Sequence, residues 1–199
     1  MKDKTLEYYE QHALEFCENT INADMSKQYK MFLAYIPQGG LILDLGCGSG
    51  RDTKAFQELG YDVAAMDGSR TLCELAAAYI GQEVQCKCFD EIDEIGRYDG
   101  IWACASLLHI RKRDMPEMLT RLAAALKDRG VLYTSFKYGN QERVEQMRFY
   151  NDYTEKELDL LFCRENGLEC VEWKISEDAR ADCQGKWINV ISRKENIEK

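Results

Sequence analysis

LILDLGCGSGRD, residues 41–52, decides the fold. The apolar run 41–45 has strand length and enters Gly46-x-Gly48-x-Gly50 without a linker, and a helix then runs to a natural stop at Gly60. Three glycines let the backbone turn tightly and bring a ligand against the main chain with no side chains in the way. Downstream, YDVAAM (61–66) reads as a second strand. Ser69 caps a helix carrying Leu72, Leu75, Ala76 and Tyr79, and Gly81 closes it. VQCKCF (84–89) and YDGIWACA (98–105) read as strands three and four. Asp114-Met115-Pro116-Glu117 opens a helix with a capping acid, an early proline and a Glu three residues on, and Gly130 is its expected stop. VLYTSFK (131–137) is a fifth strand, and a capping box at 154–157 opens a helix through Leu158, Leu161 and Phe162 to Gly167. LECVEWKI (168–175) and KWINVIS (186–192) flank the polar excursion SEDARADCQG. Upstream, two helices are expected, one through Leu6, Tyr9, Ala13, Phe16 and Cys17, the other through Met25, Tyr29, Phe32, Leu33 and Ile36, before Pro37 and Gly39-Gly40. Strands alternating with helices predict an α/β fold: a doubly wound, mostly parallel seven-stranded sheet with an antiparallel hairpin at one edge.

The 199 residues are 45% hydrophobic and 31% charged, which fits a globular chain and excludes disordered and collagen-like classes. Lys and Arg total 26 against 35 Asp and Glu, a net charge of -9 that disfavours nucleic acid and anionic membrane surfaces as partners. The N-terminus carries no apolar core of signal-peptide length, and the longest apolar stretch, 101–110, is too short to span a bilayer. A cytoplasmic protein is expected. Nine cysteines occur with no Cys-x-x-Cys, and no pair or nearby His completes a zinc set with Cys86 and Cys88, so free thiols in a reducing compartment and no metal are expected.

A dinucleotide fingerprint would place its third glycine at position 51, which is Arg, and no Gly-Lys-Ser/Thr is present for a phosphate loop. The turn instead resembles the first motif of the class I S-adenosylmethionine-dependent methyltransferases, an acid-x-Gly-x-Gly-x-Gly after strand one, with Asp44, Gly46, Cys47, Gly48 and Gly50 matching in turn. The resemblance covers nearly the whole chain. It implies a Rossmann-like core over 39–199 and an N-terminal helical cap over 1–38 within a single domain, the two helices of the cap forming a lid. It also implies the cofactor S-adenosyl-L-methionine, with S-adenosyl-L-homocysteine as product. Asp67, closing strand two with Gly68 and Ser69 behind it, would take both ribose hydroxyls, a task suited to a bidentate carboxylate. Phe89 and Asp90, with Glu91 as a further candidate, would meet the adenine, and Arg51 follows the glycine turn. Ala103-Cys104-Ala105-Ser106-Leu107-Leu108-His109 stands where the family carries its strand-four motif. Cys104 and Ala105 would line the sulfonium end, and His109 would face the acceptor. Tyr8 and Tyr9 either close over the cofactor or pack the first helix on the core.

A sulfonium methyl is already activated, so alignment and exclusion of water are the main tasks. His109 has the titration range for a general base, and a histidine packed at a strand end fits the same place. Lys137, Tyr138, Arg143 and Tyr153, followed by Arg180 and Trp187, cluster at the carboxyl end of the sheet and suit a small anionic or polar substrate. Arg148 and Tyr150 lie in the same stretch. Within the family the pattern is loosely similar to the small tellurite-resistance enzymes. The acceptor reading stands between an amine or carboxylate and a soft tellurite or thiol nucleophile, with a non-catalytic cofactor-binding module as the rival class. The oligomeric state is not legible.

Overall fold

The computed structural model describes residues 4–180 and 183–195. Helices α1 (Lys4–Gln11), α2 (Ala13–Thr20) and α3 (Ser26–Leu33) precede the first strand. The expected first helix is divided at His12, whose backbone leaves the helical region at φ -117°, ψ 20°. Then come β1 (Leu41–Leu45), α4 (Arg51–Glu58), β2 (Asp62–Asp67), α5 (Arg70–Ile80), β3 (Gln85–Cys86) and β4 (Tyr98–Ala103). These are followed by α6 (Met115–Ala125), β5 (Leu126–Lys137), β6 (Glu142–Glu145), β7 (Arg148–Asn151), α7 (Glu155–Leu161), β8 (Leu168–Glu177) and β9 (Lys186–Lys194).

The main sheet has seven strands in the order β3-β2-β1-β4-β5-β9-β8. The pairs from β3 to β5 are parallel, and β9 runs antiparallel to both β5 and β8. This is the doubly wound sheet with an antiparallel edge that the alternating pattern predicts. The strand order reverses between β1 and β4, and the carboxyl ends of the strands beside such a reversal form the crevice where open α/β sheets bind ligands.

Below the sheet, the Trp102 indole stacks on the Tyr133 ring at 3.8 Å, and Phe32, Phe56 and Tyr29 close around them. This packing fixes α3 against the strands. A Cβ at Gly100 would come within 2.4 Å of Ile36 and 2.6 Å of Phe32, so the small residue there is a packing requirement. On α5, Ser69 accepts the Leu72 N–H and Gly81 closes the helix at φ +74°; Thr154 and Glu157 form the capping box of α7. Three expectations are corrected. Helix α6 ends at Ala125 and not at Gly130, because Leu126 already pairs with Tyr98 of β4; the register then shifts before pairing resumes at Val131, and Arg129 in between takes a left-handed φ of +63°. Asp114 precedes α6 but makes no side-chain cap, its carboxylate lying 3.3 Å from Arg113. The third strand shrinks to two residues. The β6–β7 hairpin has no counterpart in the sequence reading. Among the described residues, no helix is long and apolar enough to cross a membrane.

Candidate active site

The site begins at the glycine turn. Gly46, Gly48 and Gly50 stand at φ +76°, +55° and +78°, and the Gly46 and Cys47 N–H groups donate to the Met66 carbonyl, locking the turn to the end of β2. A Cβ on Gly46 would lie 2.6 Å from Ser106, and one on Gly48 2.8 Å from Phe16. Left-handed backbone and close neighbours both demand glycine here.

A cavity of about 350 Å³ opens above the turn, within the range of small-molecule sites. Its wall includes Gly46, Cys47, Gly48, Arg51, Asp67, Gly68, Phe89, Cys104, Ala105, His109, Lys137, Arg180 and Trp187 from the sequence-derived candidates. Tyr8, Asp44, Gly50, Ser69, Asp90, Tyr138, Arg143 and Tyr153 are not on it. Tyr8 stacks on His12 and is replaced at the wall by Tyr9, one position on. Asp44 is buried under the turn, where its carboxyl accepts the Thr53 hydroxyl at 2.6 Å. Gly50 begins α4, where an added Cβ would meet Ile80, and Ser69 serves the α5 cap. Asp90 sits in a short 3₁₀ turn. Tyr138 is on the surface, bonded to Glu155, and Tyr153 packs on Phe136 in the core. Arg143 pairs with Asp152 and Glu145.

Asp67 ends β2 with one carboxylate oxygen accepting the Gly48 N–H and the other the Ser69 N–H, each at 2.9 Å. Burial raises its pKa above the usual carboxylate range, and these donors only partly offset that. A carboxylate oxygen has more than one acceptor position, so Asp67 can take further donors beside these backbone ones. Ser106, on the neighbouring loop, carries a buried Oγ with no hydrogen-bond partner. A ligand bearing hydroxyl donors and further polar groups fits both observations.

Asp52, which is not among the sequence-derived site candidates, shapes the floor. Asp52 accepts the Tyr29 hydroxyl at 2.5 Å and the Trp102 indole N–H at 2.8 Å, and forms a two-pronged pair with Arg51. Burial works against ionisation, yet the Arg51 guanidinium and these donors hold the Asp52 carboxyl below its ordinary range. Arg51 in turn reaches the Thr20 carbonyl of α2. Cys104 lies beside this pair, and burial, followed by the Asp52 charge, pushes its thiol up to about 12. A neutral thiol is a poor nucleophile. Ala105 holds φ +52° at the end of β4, an uncommon conformation for a residue with a Cβ.

The roof comes from α1 and α2. Leu6, Tyr9 and Phe16 line the cavity, and a Cβ on Gly68 would lie 3.2 Å from Leu6. Glu10 fastens one side of α1 by accepting the Arg70 N–H and the Thr71 hydroxyl at the start of α5, while Thr5 accepts the Phe149 N–H from β7 on the other. Tyr9 Oη lies 2.9 Å from His109 Nε2, and His109 Nδ1 lies 2.6 Å from the Phe149 carbonyl oxygen. A carbonyl can only accept, so Nδ1 carries the proton, and Nε2 accepts the Tyr9 O–H. Burial raises the Tyr9 pKa well above that of a free phenol.

The family model described as a methyltransferase domain matches residues 18–172. A ubiquinone biosynthesis O-methyltransferase from Rhodopseudomonas palustris is 33% identical over 98 residues, 46% of this chain and 37% of that protein. The chain thus aligns with well under half the length of that relative. In structure, the chain is similar to a Burkholderia thailandensis 1,6-didemethyltoxoflavin-N1-methyltransferase bound to 1,6-didemethyltoxoflavin and S-adenosylhomocysteine, at TM-score 0.79 and 23% identity over 97% of this chain and 88% of that one. It is also similar to a TehB-like S-adenosylmethionine-dependent methyltransferase from Corynebacterium glutamicum, at TM-score 0.68 and 19% identity over 96% and 98% of the two chains.

Proposed function

The chain belongs to the methyltransferase domain family, of the class I S-adenosylmethionine-dependent type, and from that premise we propose that it methylates a small-molecule acceptor by in-line displacement. The observation that carries this is Asp67, a buried carboxylate on the cavity wall beside a glycine turn, with acceptor capacity left on its oxygens. When bound, S-adenosylmethionine supplies an activated methyl group on its sulfonium. Asp67 is assigned to the ribose hydroxyls, Phe89 with Leu6 and Leu72 to the adenine faces, Gly46–Gly48 and Ser106 to the polar chain, and Cys104 and Ala105 to the wall behind the reacting centre. Asp44 acts beneath the turn, holding it through Thr53.

For an acceptor that carries a proton, the base is a relay. The Tyr9 oxygen takes the acceptor proton as its own passes to His109 Nε2, and the Phe149 carbonyl steadies the imidazolium through Nδ1. The roof formed by α1 and α2 excludes water. A soft acceptor, such as a thiolate or metalloid oxyanion, needs no such relay. His109→Ala therefore separates the two classes: loss of turnover marks a protonated acceptor, and unchanged turnover marks a soft one. The acidic surface supports a small molecule over nucleic acid as substrate.

Calorimetric titration with S-adenosylmethionine, S-adenosylhomocysteine and NAD tests the reading. The two sulfur compounds are expected to bind and NAD to fail; acceptor screening by S-adenosylhomocysteine release then follows. Binding of NAD alone, or of none, would overturn the reading. Linkage adds a pH prediction. The free Asp67 carboxyl is raised by burial, and ribose donors would lower it, so at a pH near or below the raised value binding releases a proton. Affinity is expected to weaken by up to about tenfold per pH unit as pH falls through the raised pKa. Titrations in buffers of different ionisation enthalpy would show the released proton, and proton uptake on binding would contradict the assignment.

A further inference from the structure

Beyond the cofactor half of the cavity, the cations are not all matched by a carboxylate of their own. Arg51 is matched by Asp52, Arg180 by Asp178, and Arg143 by Asp152 and Glu145. Asp178 also accepts the Trp187 indole N–H, and although burial opposes it, Arg180 and Trp187 hold its carboxyl down at about 2, so it is fully committed. Glu177 is an exposed rim carboxylate left to solvent. Two cations on the wall are left over. Lys137 closes β5 with its Nζ 4.4 Å from the Tyr150 ring centroid and 3.9 Å from Glu145, which is already bonded to Arg143 at 2.6 Å. Arg148 opens β7 with its guanidinium 4.2 Å from the Tyr8 ring and 5.4 Å from the Tyr150 ring. It forms no ion pair among the described residues: one Nη goes to the neutral Gln146 carboxamide, and its buried Nε has no partner.

Both cations are partly withdrawn from water and lie on the His109 side of the cavity, with Arg148 beside the Tyr9 phenol. Burial pushes the Lys137 amine below its ordinary pKa, and Arg143 and Arg148 add to that while Glu145 and Asp152 oppose it. A desolvated guanidinium with an unused donor is a ready partner for an oxyanion.

We propose that the methyl acceptor is a small organic anion whose carboxylate is held by Arg148 and Lys137, placing an adjacent nucleophile at the Tyr9–His109 pair. The proposal rests on the methyl-transfer reading for the identity of the ligand as acceptor. The anion preference itself belongs to the chain alone and can be read separately. Step by step, the nucleophile's lone pair forms the bond to the methyl carbon, the carbon–sulfur bond breaks with its electrons going to sulfur, and the acceptor proton passes to Tyr9 as described. The carboxylate is unchanged.

The test uses salicylate, with a hydroxyl beside its carboxylate, and salicylamide, its neutral counterpart, titrated calorimetrically with and without saturating S-adenosylhomocysteine. Salicylate is expected to bind at least tenfold more tightly. That preference should collapse in Lys137→Met and Arg148→Gln, survive in part in Arg148→Lys, and leave S-adenosylhomocysteine affinity unchanged, with thermal melts confirming that each variant is folded. Equal binding of the two probes, binding of neither, or a preference that survives both charge-removing variants would overturn the proposal. Loss of S-adenosylhomocysteine affinity in the same variants would also overturn it, assigning the two cations to the cofactor's own carboxylate. Failure of the wild-type chain to bind S-adenosylhomocysteine would strike the methyltransferase reading instead, and the salicylate preference would still be decided on the bare chain.

Discussion

Asp67→Ala is expected to weaken S-adenosylmethionine binding by two to four orders of magnitude while the protein stays folded. The proposed contact gives two hydrogen bonds from ribose hydroxyls to one carboxylate, each worth about 1.5–3 kcal/mol when an ionised group accepts. Their sum, roughly 3–6 kcal/mol, converts at about 1.4 kcal/mol per tenfold in affinity. The fold should tolerate the change because, of the two backbone donors left behind, Gly48 stands on the wall of a cavity that water can enter. Helix α5 keeps its own cap, the Ser69 hydroxyl on the Leu72 N–H. Asp67→Asn keeps one acceptor oxygen, so its loss should be intermediate. Calorimetry with S-adenosylhomocysteine, alongside a thermal melt, reads both consequences. A folded Asp67→Ala with wild-type affinity would overturn the ribose assignment.

Asp67 and the glycine turn were legible in the sequence because each is imposed by local geometry. A backbone that turns through positive φ at alternate residues has almost only glycine to use, and a carboxylate closing the next parallel strand necessarily stands at the same sheet edge. The β6–β7 hairpin was hidden for the converse reason. Its turn places Gln146 at φ +47° and Met147 at φ +69°, left-handed positions filled without Gly or Asn, so the chain carries none of the usual turn signal. Arg148 and Tyr150 follow that turn, and their convergence with Lys137 on one wall could not be read from spacing. That Tyr9 and not Tyr8 reaches the wall was not legible, because the break at His12 ends α1 early and tertiary contacts at Thr5 and Glu10 fix its rotation.

Asp52 was hidden more deeply. An acid in the first turn of a helix ordinarily reads as a solvated charge favoured by the helix dipole. Here its partners, Tyr29 and Trp102, lie 23 and 50 residues away and meet it only through the sheet. Together they tie the lid side of the site, through Arg51 and the Thr20 carbonyl, to the aromatic cluster under the strands. The same pair thus serves packing and site geometry at once.

Asp52→Ala is accordingly expected to destabilise the protein by about 3–5 kcal/mol, the usual cost of leaving one member of a buried ion pair uncompensated. The side chains of Arg51 and Asp52 are only 18% and 8% exposed, so solvent cannot take over the missing charge, and Tyr29 and Trp102 would also lose their acceptor. A large part of a typical 5–15 kcal/mol stability would go. Asp52→Asn keeps an acceptor and should cost less, and it exposes the electrostatic share through pH. The folded Asp52 carboxyl titrates below its unfolded value, so its contribution is complete above the unfolded pKa, roughly 3.9, and disappears as pH falls through the folded one. The stability gap between wild type and Asp52→Asn, measured by urea unfolding, should be constant near neutrality and close as pH drops below about 4. A gap that keeps its neutral value under acid would show that Asp52 holds the site by shape and hydrogen bonding alone, with its charge contributing nothing.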